Sequence, residues 1–257
     1  FINAVKYLND KEFTTAKDYV EESSIKYDVS LYEYEPKEQM NEVRNYLVNK
    51  RKINSDLVEH LIENDYIKQD KNKNVVFQWK NNEGEIVGSD KRGTGYKPYK
   101  GIDFASDPKY PFNFSTIDKP NDLYIFEAPI DALSYRTLHP NSDGVYMSMS
   151  GLKDEALLHQ YSNFTQKYGQ EPNKIYLCVD NDDAGKNFVN KFTEHELISK
   201  KTGEKINFIP KFPEGENCKD WNDVLIEKKY MKKSEIKESN KDKYNRNKKK
   251  EVAGMEL

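Results

Sequence analysis

Apolar residues in the second half of the chain come in four short runs, and each run is followed by a segment with helical spacing. The runs are 123–126, 144–147, 175–179 and 206–209, and the helical segments begin near residues 129, 153, 184 and 221. Short apolar strands that alternate with helices are typical of a parallel sheet buried on both faces. The pattern therefore predicts an α/β domain over residues 120–230.

The first half of the chain predicts a smaller lobe over residues 37–115. Two apolar stripes with helical spacing indicate a pair of short helices that meet near Lys52, the second one capped by Asn54 or Ser55. The stripes are Met40, Val43 and Leu47, then Ile53, Leu57 and Leu61. Residues 74–80 and 85–88 flank a turn at Gly84, which predicts a β-hairpin followed by a loop over 90–101. Residues 1–36 indicate a polar helical fragment.

Charge changes this picture at the C-terminus. The chain of 257 residues has a net charge of −3, but residues 227–257 contain 11 Lys and Arg against 6 Asp and Glu. A charged segment with so few apolar residues cannot form a core, so we expect a basic, disordered tail over 231–257. No apolar run approaches the ~18 residues of a membrane span, and we therefore expect no membrane partner.

The cysteine and histidine content excludes a zinc ribbon within this chain. Cys178 and Cys218 are the two cysteines, no CxxC motif is present, and the four histidines are scattered. This usage also argues against a disulfide framework and favours a reducing, cytoplasmic setting. The sequence starts with Phe1, so we expect a native start further upstream, where a zinc ribbon could lie.

Three carboxylates follow two of the predicted sheet strands. Glu127 comes directly after the first run, while Asp180 and Asp182 come after the third. Ligands of open α/β sheets bind at the carboxyl ends of the strands, so these side chains can converge on one crevice. Oxygen ligands of this kind suit Mg²⁺ or Mn²⁺. In the alternative interpretation Asp182 or Asp183 caps the next helix, which would explain one acid but not three.

Three motifs carry a family resemblance. FEAPIDAL (126–133), YMSMSG (146–151) and VDNDDAGK (179–186) resemble the motifs of the toprim domain, which bacterial-type primases, topoisomerases and related nucleases share. The resemblance implies that Glu127, Asp180 and Asp182 are catalytic and carry the divalent metal, with the glutamate also acting in acid–base chemistry. Ala128 departs from the pattern, because many members have glycine there.

Further residues could support these ligands or bind phosphate. Asp131 resembles a second acid of the first motif, or it complements the helix dipole. Ser150 and Gly151 could offer N–H groups to a phosphate, although a plain turn is the preferred interpretation, and Asp183 is a cap or a supporting residue. In KDWNDVL (219–225), Lys219 could reach a phosphate, Asp220 could assist a second metal, and Asn222 or Asp223 could cap a helix. This stretch resembles the one that closes the toprim region of primases, which favours the primase branch.

The hairpin region provides a candidate nucleic-acid surface. Residues 74–94 resemble the basic subdomain that precedes toprim in replicative primases and in primase-like proteins of conjugative plasmids and integrative elements. Basic side chains can bind the phosphodiester backbone and aromatic rings can stack on bases; the alternative is an ordinary solvated loop. The candidate residues are Lys91, Arg92, Tyr96, Lys97, Tyr99 and Lys100.

These expectations favour a metal-dependent, primase-like nucleotidyltransferase acting on single-stranded DNA in plasmid or mobile-element replication or conjugation. Its partners would be single-stranded DNA and nucleoside triphosphates, with a helicase or relaxase as a further partner. A toprim nuclease that cleaves DNA or RNA is one alternative, since it would use the same carboxylates. A non-catalytic, nucleic-acid-binding accessory protein is the other.

Overall fold

The computed structural model describes residues 26–96, 99–194, 197–199 and 202–231. The smaller lobe begins with the expected helix pair. Helix α1 spans Asn41–Arg44 and continues as a π-helical segment over Asn45–Lys50, and α2 spans Ser55–Glu63. Lys52 adopts a positive φ of 61° between them, and the Asn54 side chain caps α2 by accepting the Leu57 N–H at 2.9 Å.

A four-stranded antiparallel sheet completes this lobe. Its strands in spatial order are β1 (Ile67–Gln69), β2 (Val75–Lys80), β3 (Ile86–Arg92) and β4 (Lys100–Ile102). The predicted hairpin is β2–β3, and its turn is held by the Asn81 side chain, which accepts the N–H of Glu85 at 2.8 Å. The expectation of a loop over 90–101 is wrong at both ends, because β3 continues through Arg92 and β4 begins at Lys100. Strands of three residues are too short to show an alternating pattern.

The larger lobe is an α/β sheet with one strand that the sequence pattern missed. The spatial order is β5 (Asn113–Ser115), β7 (Gly144–Ser148), β6 (Asp122–Phe126), β8 (Ile175–Leu177) and β9 (Phe208–Pro210). The four strands β6 to β9 run parallel as expected, while β5 pairs antiparallel with β7. The sheet is therefore mixed rather than purely parallel.

Helices cover both faces of this sheet. They are α3 (Pro129–Leu138), α4 (Asp154–Tyr168), α5 (Asp183–Thr193) and α6 (221–231). Leu123 and Ile125 of β6 point into the core shared with α4 and α5, and Tyr124 and Phe126 point into the core shared with α3 and α6. The second of these cores continues into the helix pair and hairpin sheet of the smaller lobe, so the two lobes pack against each other through buried apolar side chains.

Two predicted segments lie mainly outside the described residues: the helical fragment over 1–36, of which 26–36 is described, and the tail over 231–257, of which only Met231 is described. Residues 26–36 contain a single turn of 3₁₀-helix at Val29–Leu31 and a bridge from Tyr34 to Asp70, rather than a longer helix. In the part of the chain that the structure describes, no helix is long and apolar enough to cross a bilayer.

Candidate active site

Glu127 and Asp180 meet at the carboxyl ends of two adjacent strands. Glu127 follows β6 directly, and Asp180 follows β8, which pairs in parallel with β6. The backbone N–H of Asp180 donates to Oε1 of Glu127 at 3.1 Å. The sheet topology thus brings together two half-buried acids that are 53 residues apart in sequence.

The turn after Asp180 depends on a glycine in α5. A Cβ atom placed on Gly185 would lie 2.1 Å from the carbonyl oxygen of Asp180, closer than any side chain allows. Glycine therefore lets the helix begin against the end of the strand. The helix thus starts directly after Asp182, only two residues beyond Asp180.

Asp182 is the N-cap of α5. Its Oδ1 accepts the N–H of Gly185 at 2.9 Å, whereas Asp183 is exposed in the first helical turn. The capping role expected of either aspartate therefore belongs to Asp182. Its other oxygen, Oδ2, lies 3.1 Å from Nζ of Lys219, so capping leaves one carboxylate oxygen directed towards a cation.

Lys219 stands between the two aspartates of the DxD sequence. Its Nζ lies 3.1 Å from Oδ2 of Asp182 and 3.8 Å from Oδ2 of Asp180. The Lys219 carbonyl accepts the N–H of Asn181 at 2.8 Å, which fixes this segment against the turn. The ammonium group therefore partly neutralises the negative charges of Asp180 and Asp182.

The protonation equilibria show how crowded these acids are. Burial raises the pKa of Asp180 to about 7, with the neighbouring charges of Glu127 and Asp220 adding to the effect. Burial also raises the pKa of Glu127, and the charge of Asp182 raises it further. By contrast, the N–H of Gly185 and the side chain of Lys219 lower the pKa of Asp182. Ionisation is therefore disfavoured at Glu127 and Asp180, where a proton or a cation would relieve the burial and the repulsion, and it is favoured at Asp182.

Asp131 and Asp220 extend this acidic cluster. Asp131 is buried in the first turn of α3, and its Oδ1 has no hydrogen-bond partner. Burial, followed by the charges of Asp220 and Asp180, holds the pKa of Asp131 well above its usual range. Asp220, rather than Asn222 or Asp223, precedes and caps α6, since its Oδ1 accepts the Asp223 N–H at 2.7 Å.

The donor set suits a hard divalent cation. It consists of carboxylate oxygens, one of which, Oδ1 of Asp131, is buried without a partner. In the present side-chain positions no three His, Cys, Asp or Glu residues within the described ranges are close enough together to hold an ion. These carboxylates nevertheless have the ligand chemistry that such a cation requires. In this structure the ammonium group of Lys219 provides the positive charge beside them.

The turn after β7 directs its polar groups into the protein. The N–H of Ser150 donates to Oγ of Ser148 at 3.2 Å, and the N–H of Gly151 donates to the carbonyl of Glu127 at 2.9 Å. Both N–H groups are therefore engaged within the protein, as in the plain turn that is the preferred interpretation. The hydroxyl of Ser150 donates to Asp90 at 2.8 Å, a contact that the sequence did not signal because Asp90 lies in the other lobe.

The basic candidates on the smaller lobe differ in accessibility. Lys91 is 15% exposed and forms an ion pair with Asp103 at 2.8 Å, because β3 turns its side chain towards the lobe rather than into a loop. Tyr96, Tyr99 and Lys100 are exposed. The charge of Lys100 lowers the pKa of Glu127, so this lysine lies on the same side as the carboxylates. Arg92 ends β3 and is partly exposed, and Lys97 is outside the described residues.

Two family models match the chain, one in each lobe. A protein family of unknown function (DUF3991) matches residues 45–118, and the Toprim-like family matches residues 124–225. The uncharacterized protein pXO2-78 of Bacillus anthracis is 36% identical over 240 residues, which cover 87% of this chain and 68% of that protein. The chain belongs to the plasmid-type, primase-like proteins that carry a Toprim-like domain.

The chain is also similar to a more distant relative and to a protein of known structure. The 65 kDa protein of Zymomonas mobilis is 26% identical over 177 residues, covering 66% of this chain but only 29% of that longer protein. The primase fragment of the bacteriophage T7 primase-helicase protein superposes with a TM-score of 0.52 and 16% identity, covering 82% of this chain and 81% of that one. That likeness shows that the toprim protein shares its fold with a primase.

Proposed function

We propose that this protein is a metal-dependent, primase-like nucleotidyltransferase that acts on single-stranded DNA in plasmid replication or conjugation. Its toprim domain, its primase-like fold and its similarity to a pXO2 protein support a role on nucleic acid. The observation that carries the proposal is the meeting of Glu127 and Asp180 at the ends of β6 and β8, where burial and mutual repulsion raise the pKa of each.

Mg²⁺ or Mn²⁺ is the proposed cofactor, with Glu127, Asp180 and Asp182 as its ligands. When bound, the cation would supply positive charge to a triphosphate and to the attacking 3′-hydroxyl. Toprim domains generally bind divalent metals, which supports this assignment. Asp131 and Asp220, which extend the acidic cluster, are proposed to support these ligands or to assist a second ion.

The side chains of the protein have distinct proposed tasks. Glu127 would accept the proton of the 3′-hydroxyl, because burial gives its carboxylate a raised proton affinity. Lys219 is 61% exposed and would turn from the aspartates towards the phosphates of the incoming nucleotide. Asp183, which is exposed beside Asp182, would have a minor supporting role.

The smaller lobe would hold the template. Tyr96 and Tyr99 would stack on bases, while Lys97 and Lys100 with Arg92 would contact phosphates. We propose that residues 37–115 and 120–230 act as these two functional units, with the tail over 231–257 adding non-specific attraction to DNA. A helicase or a relaxase is the proposed protein partner; the T7 protein with the similar fold is part of a primase-helicase. The two unpaired cysteines support a cytoplasmic location.

Strand synthesis on a single-stranded template tests this function. Purified protein is supplied with Mg²⁺ or Mn²⁺, unprimed DNA and labelled ribonucleotides or deoxyribonucleotides, and the products are separated by length. We expect new labelled strands, and we expect Glu127→Gln to lower the rate at least about a hundredfold. Glu155→Gln, which neutralises an exposed acid of α4, is the matched control and should leave the rate unchanged.

The same reaction distinguishes the alternatives. Shortening of the template, lost in Glu127→Gln, would instead identify a nuclease. Binding of the template without synthesis or cleavage, under any of these metal and nucleotide conditions, would identify an accessory protein and would contradict the proposed enzyme.

A further inference from the structure

Asp90 is a buried acid that joins the two lobes. It lies in β3 of the hairpin sheet and is 7% exposed. One of its oxygens, Oδ2, accepts two hydrogen bonds: from Nε1 of Trp79 in its own lobe at 2.7 Å, and from Oγ of Ser150 in the α/β lobe at 2.8 Å. The carboxylate therefore links a rigid tryptophan of the smaller lobe to the turn that follows β7.

That turn holds the backbone of Glu127. Ser150 and Gly151 have positive φ angles of 55° and 102°, so the chain reverses tightly there. The reversal lets the N–H of Gly151 donate to the Glu127 carbonyl at 2.9 Å, and the hydroxyl of Ser148 approaches the same carbonyl at 3.3 Å. A non-glycine residue with a positive φ is held in that conformation by its surroundings. For Ser150 these surroundings include the hydrogen bond from its hydroxyl to Asp90 in the other lobe.

We propose that Asp90 is a positioning residue that fixes Glu127 through the turn over 148–151. It would keep the metal-binding carboxylate in register with the lobe that carries the basic and aromatic residues. The inference deepens the proposed function and depends on it, because its consequence is measured at the metal ligand.

The hydrogen bonds of Asp90 allow the position of this side chain to be tested separately from its charge. Burial raises the pKa of Asp90 to about 6, so the charged form is disfavoured by its surroundings. Both hydrogen bonds end on a single oxygen, which the carbonyl oxygen of an asparagine side chain would supply without a buried charge. This property also gives a direct test, since Asp90→Asn preserves the geometry and Asp90→Ala removes it.

The test measures Mn²⁺ affinity by calorimetry, with thermal unfolding of each variant recorded in parallel. Asp90→Ala and Ser150→Ala should each weaken Mn²⁺ binding about tenfold, the lower end of the loss typical of groups that orient metal ligands. Asp90→Asn should restore affinity to near the wild-type value. The double variant should be no weaker than Asp90→Ala alone, because both changes remove the same contact.

Trp79→Phe is the matched control. It removes the other hydrogen bond to the same oxygen while keeping the Ser150 contact, so it should lower the melting temperature and leave Mn²⁺ affinity unchanged. If Asp90→Ala does not fold, Ser150→Ala still removes the bond from the partly exposed side of the interface. Wild-type affinity in Ser150→Ala would overturn the positioning role alone, whereas absence of Mn²⁺ binding in the wild type would overturn the proposed function and this inference together.

Discussion

The backbone N–H of Asp180 donates to Oε1 of Glu127 at 3.1 Å. This bond joins the ends of β6 and β8 and holds the Glu127 carboxylate against the backbone of Asp180. The charge of Glu127 therefore acts on the Asp180 carboxyl and raises its pKa. Because both groups are half-buried, neither can relieve the repulsion by turning fully into solvent. The site is therefore built with a charge imbalance that a proton or a cation can correct.

The raised pKa of Asp180, about 7, predicts a pH-dependent stability in the absence of metal. The folded protein holds this proton more tightly than the unfolded chain, whose aspartates titrate near 4. The stabilisation is therefore complete below about pH 4 and is lost as pH rises through about 7. Asp180→Asn should flatten this dependence and should be the more stable protein at about pH 8.

Thermal unfolding in a chelator, measured between about pH 4 and pH 8, checks this prediction. Asp183→Asn, which neutralises an exposed acid of the same turn, should keep the wild-type slope. A wild-type slope in Asp180→Asn would mean that the carboxylate is more solvated than its position indicates.

Much of this arrangement could be predicted from the sequence. The runs that form β6 to β9 are apolar on both sheet faces, a pattern typical of strands that helices cover on both sides. Because such strands run parallel, the residues that follow them lie at one edge of the sheet. The positions of Glu127 and Asp180 follow from that rule. The antiparallel strand β5 was not predictable in the same way, since its pairing depends on β7 and its three residues carry no period.

The contacts between lobes could not be predicted, because they depend on how two separate hydrophobic faces pack. The sequence pattern predicts Asp90 in a loop, but β3 carries it into the interface with Ser150. Lys91 was a candidate for nucleic acid, but the same strand pairs it with Asp103. The choice of Asp182 over Asp183 as the cap likewise depended on where the helix begins, which sequence patterns locate only within a few residues.

Metal binding should distinguish Asp182 from Asp183. A cation that binds only the folded state raises the melting temperature by mass action. Asparagine is as good an N-cap as aspartate, so Asp182→Asn keeps the bond to Gly185 and removes only charge. Asp182→Asn also removes the ion pair with Lys219 and the repulsion of Glu127, which offset each other, so it should melt close to the wild type without metal. It should gain less from Mg²⁺ or Mn²⁺, while Asp183→Asn should gain nearly the full amount.

Melting curves across a metal titration check this order. A greater loss of the metal-induced gain in Asp183→Asn would identify Asp183 as the ligand. A wild-type curve that does not respond to either cation would contradict a metal site at these residues.

Lys219 should compete with a bound cation. Its ammonium balances the charges of Asp180 and Asp182, but an exposed ion pair contributes at most about 1 kcal/mol. Lys219→Met should therefore lower the melting temperature slightly in a chelator and should increase the gain produced by Mn²⁺. Lys219→Arg keeps the charge and serves as the control in the same titration. A smaller gain in Lys219→Met would show that this lysine assists cation binding instead.

Asn222 should be important for stability because it fastens the helix pair to the α/β lobe. Its Nδ2 donates to the carbonyl of Arg51 at 2.7 Å and to Oγ of Ser134 at 2.9 Å, and its Oδ1 accepts from Nη1 of Arg51 at 3.1 Å. Asn222→Ala removes these three hydrogen bonds at a buried position, which should cost about 2–3 kcal/mol. Urea unfolding measures this loss, and Asn187→Ala on the exposed face of α5 should cost far less. Equal losses in the two variants would contradict the role of Asn222.

The basic tail should contribute to DNA binding only through its charge. Removing 232–257 deletes nine Lys and Arg and five Asp and Glu from a chain whose net charge is −3, leaving the rest more acidic. The truncated protein should unfold like the full chain but bind single-stranded DNA more weakly at about 50 mM salt, with the difference disappearing towards about 200 mM. Fluorescence anisotropy with a labelled oligonucleotide measures the salt slope, which should become shallower.

A tail of the same composition in scrambled order is the control, and it should restore binding because counterion release does not depend on sequence. An unchanged slope after truncation would mean that the folded lobes carry all of the DNA contacts.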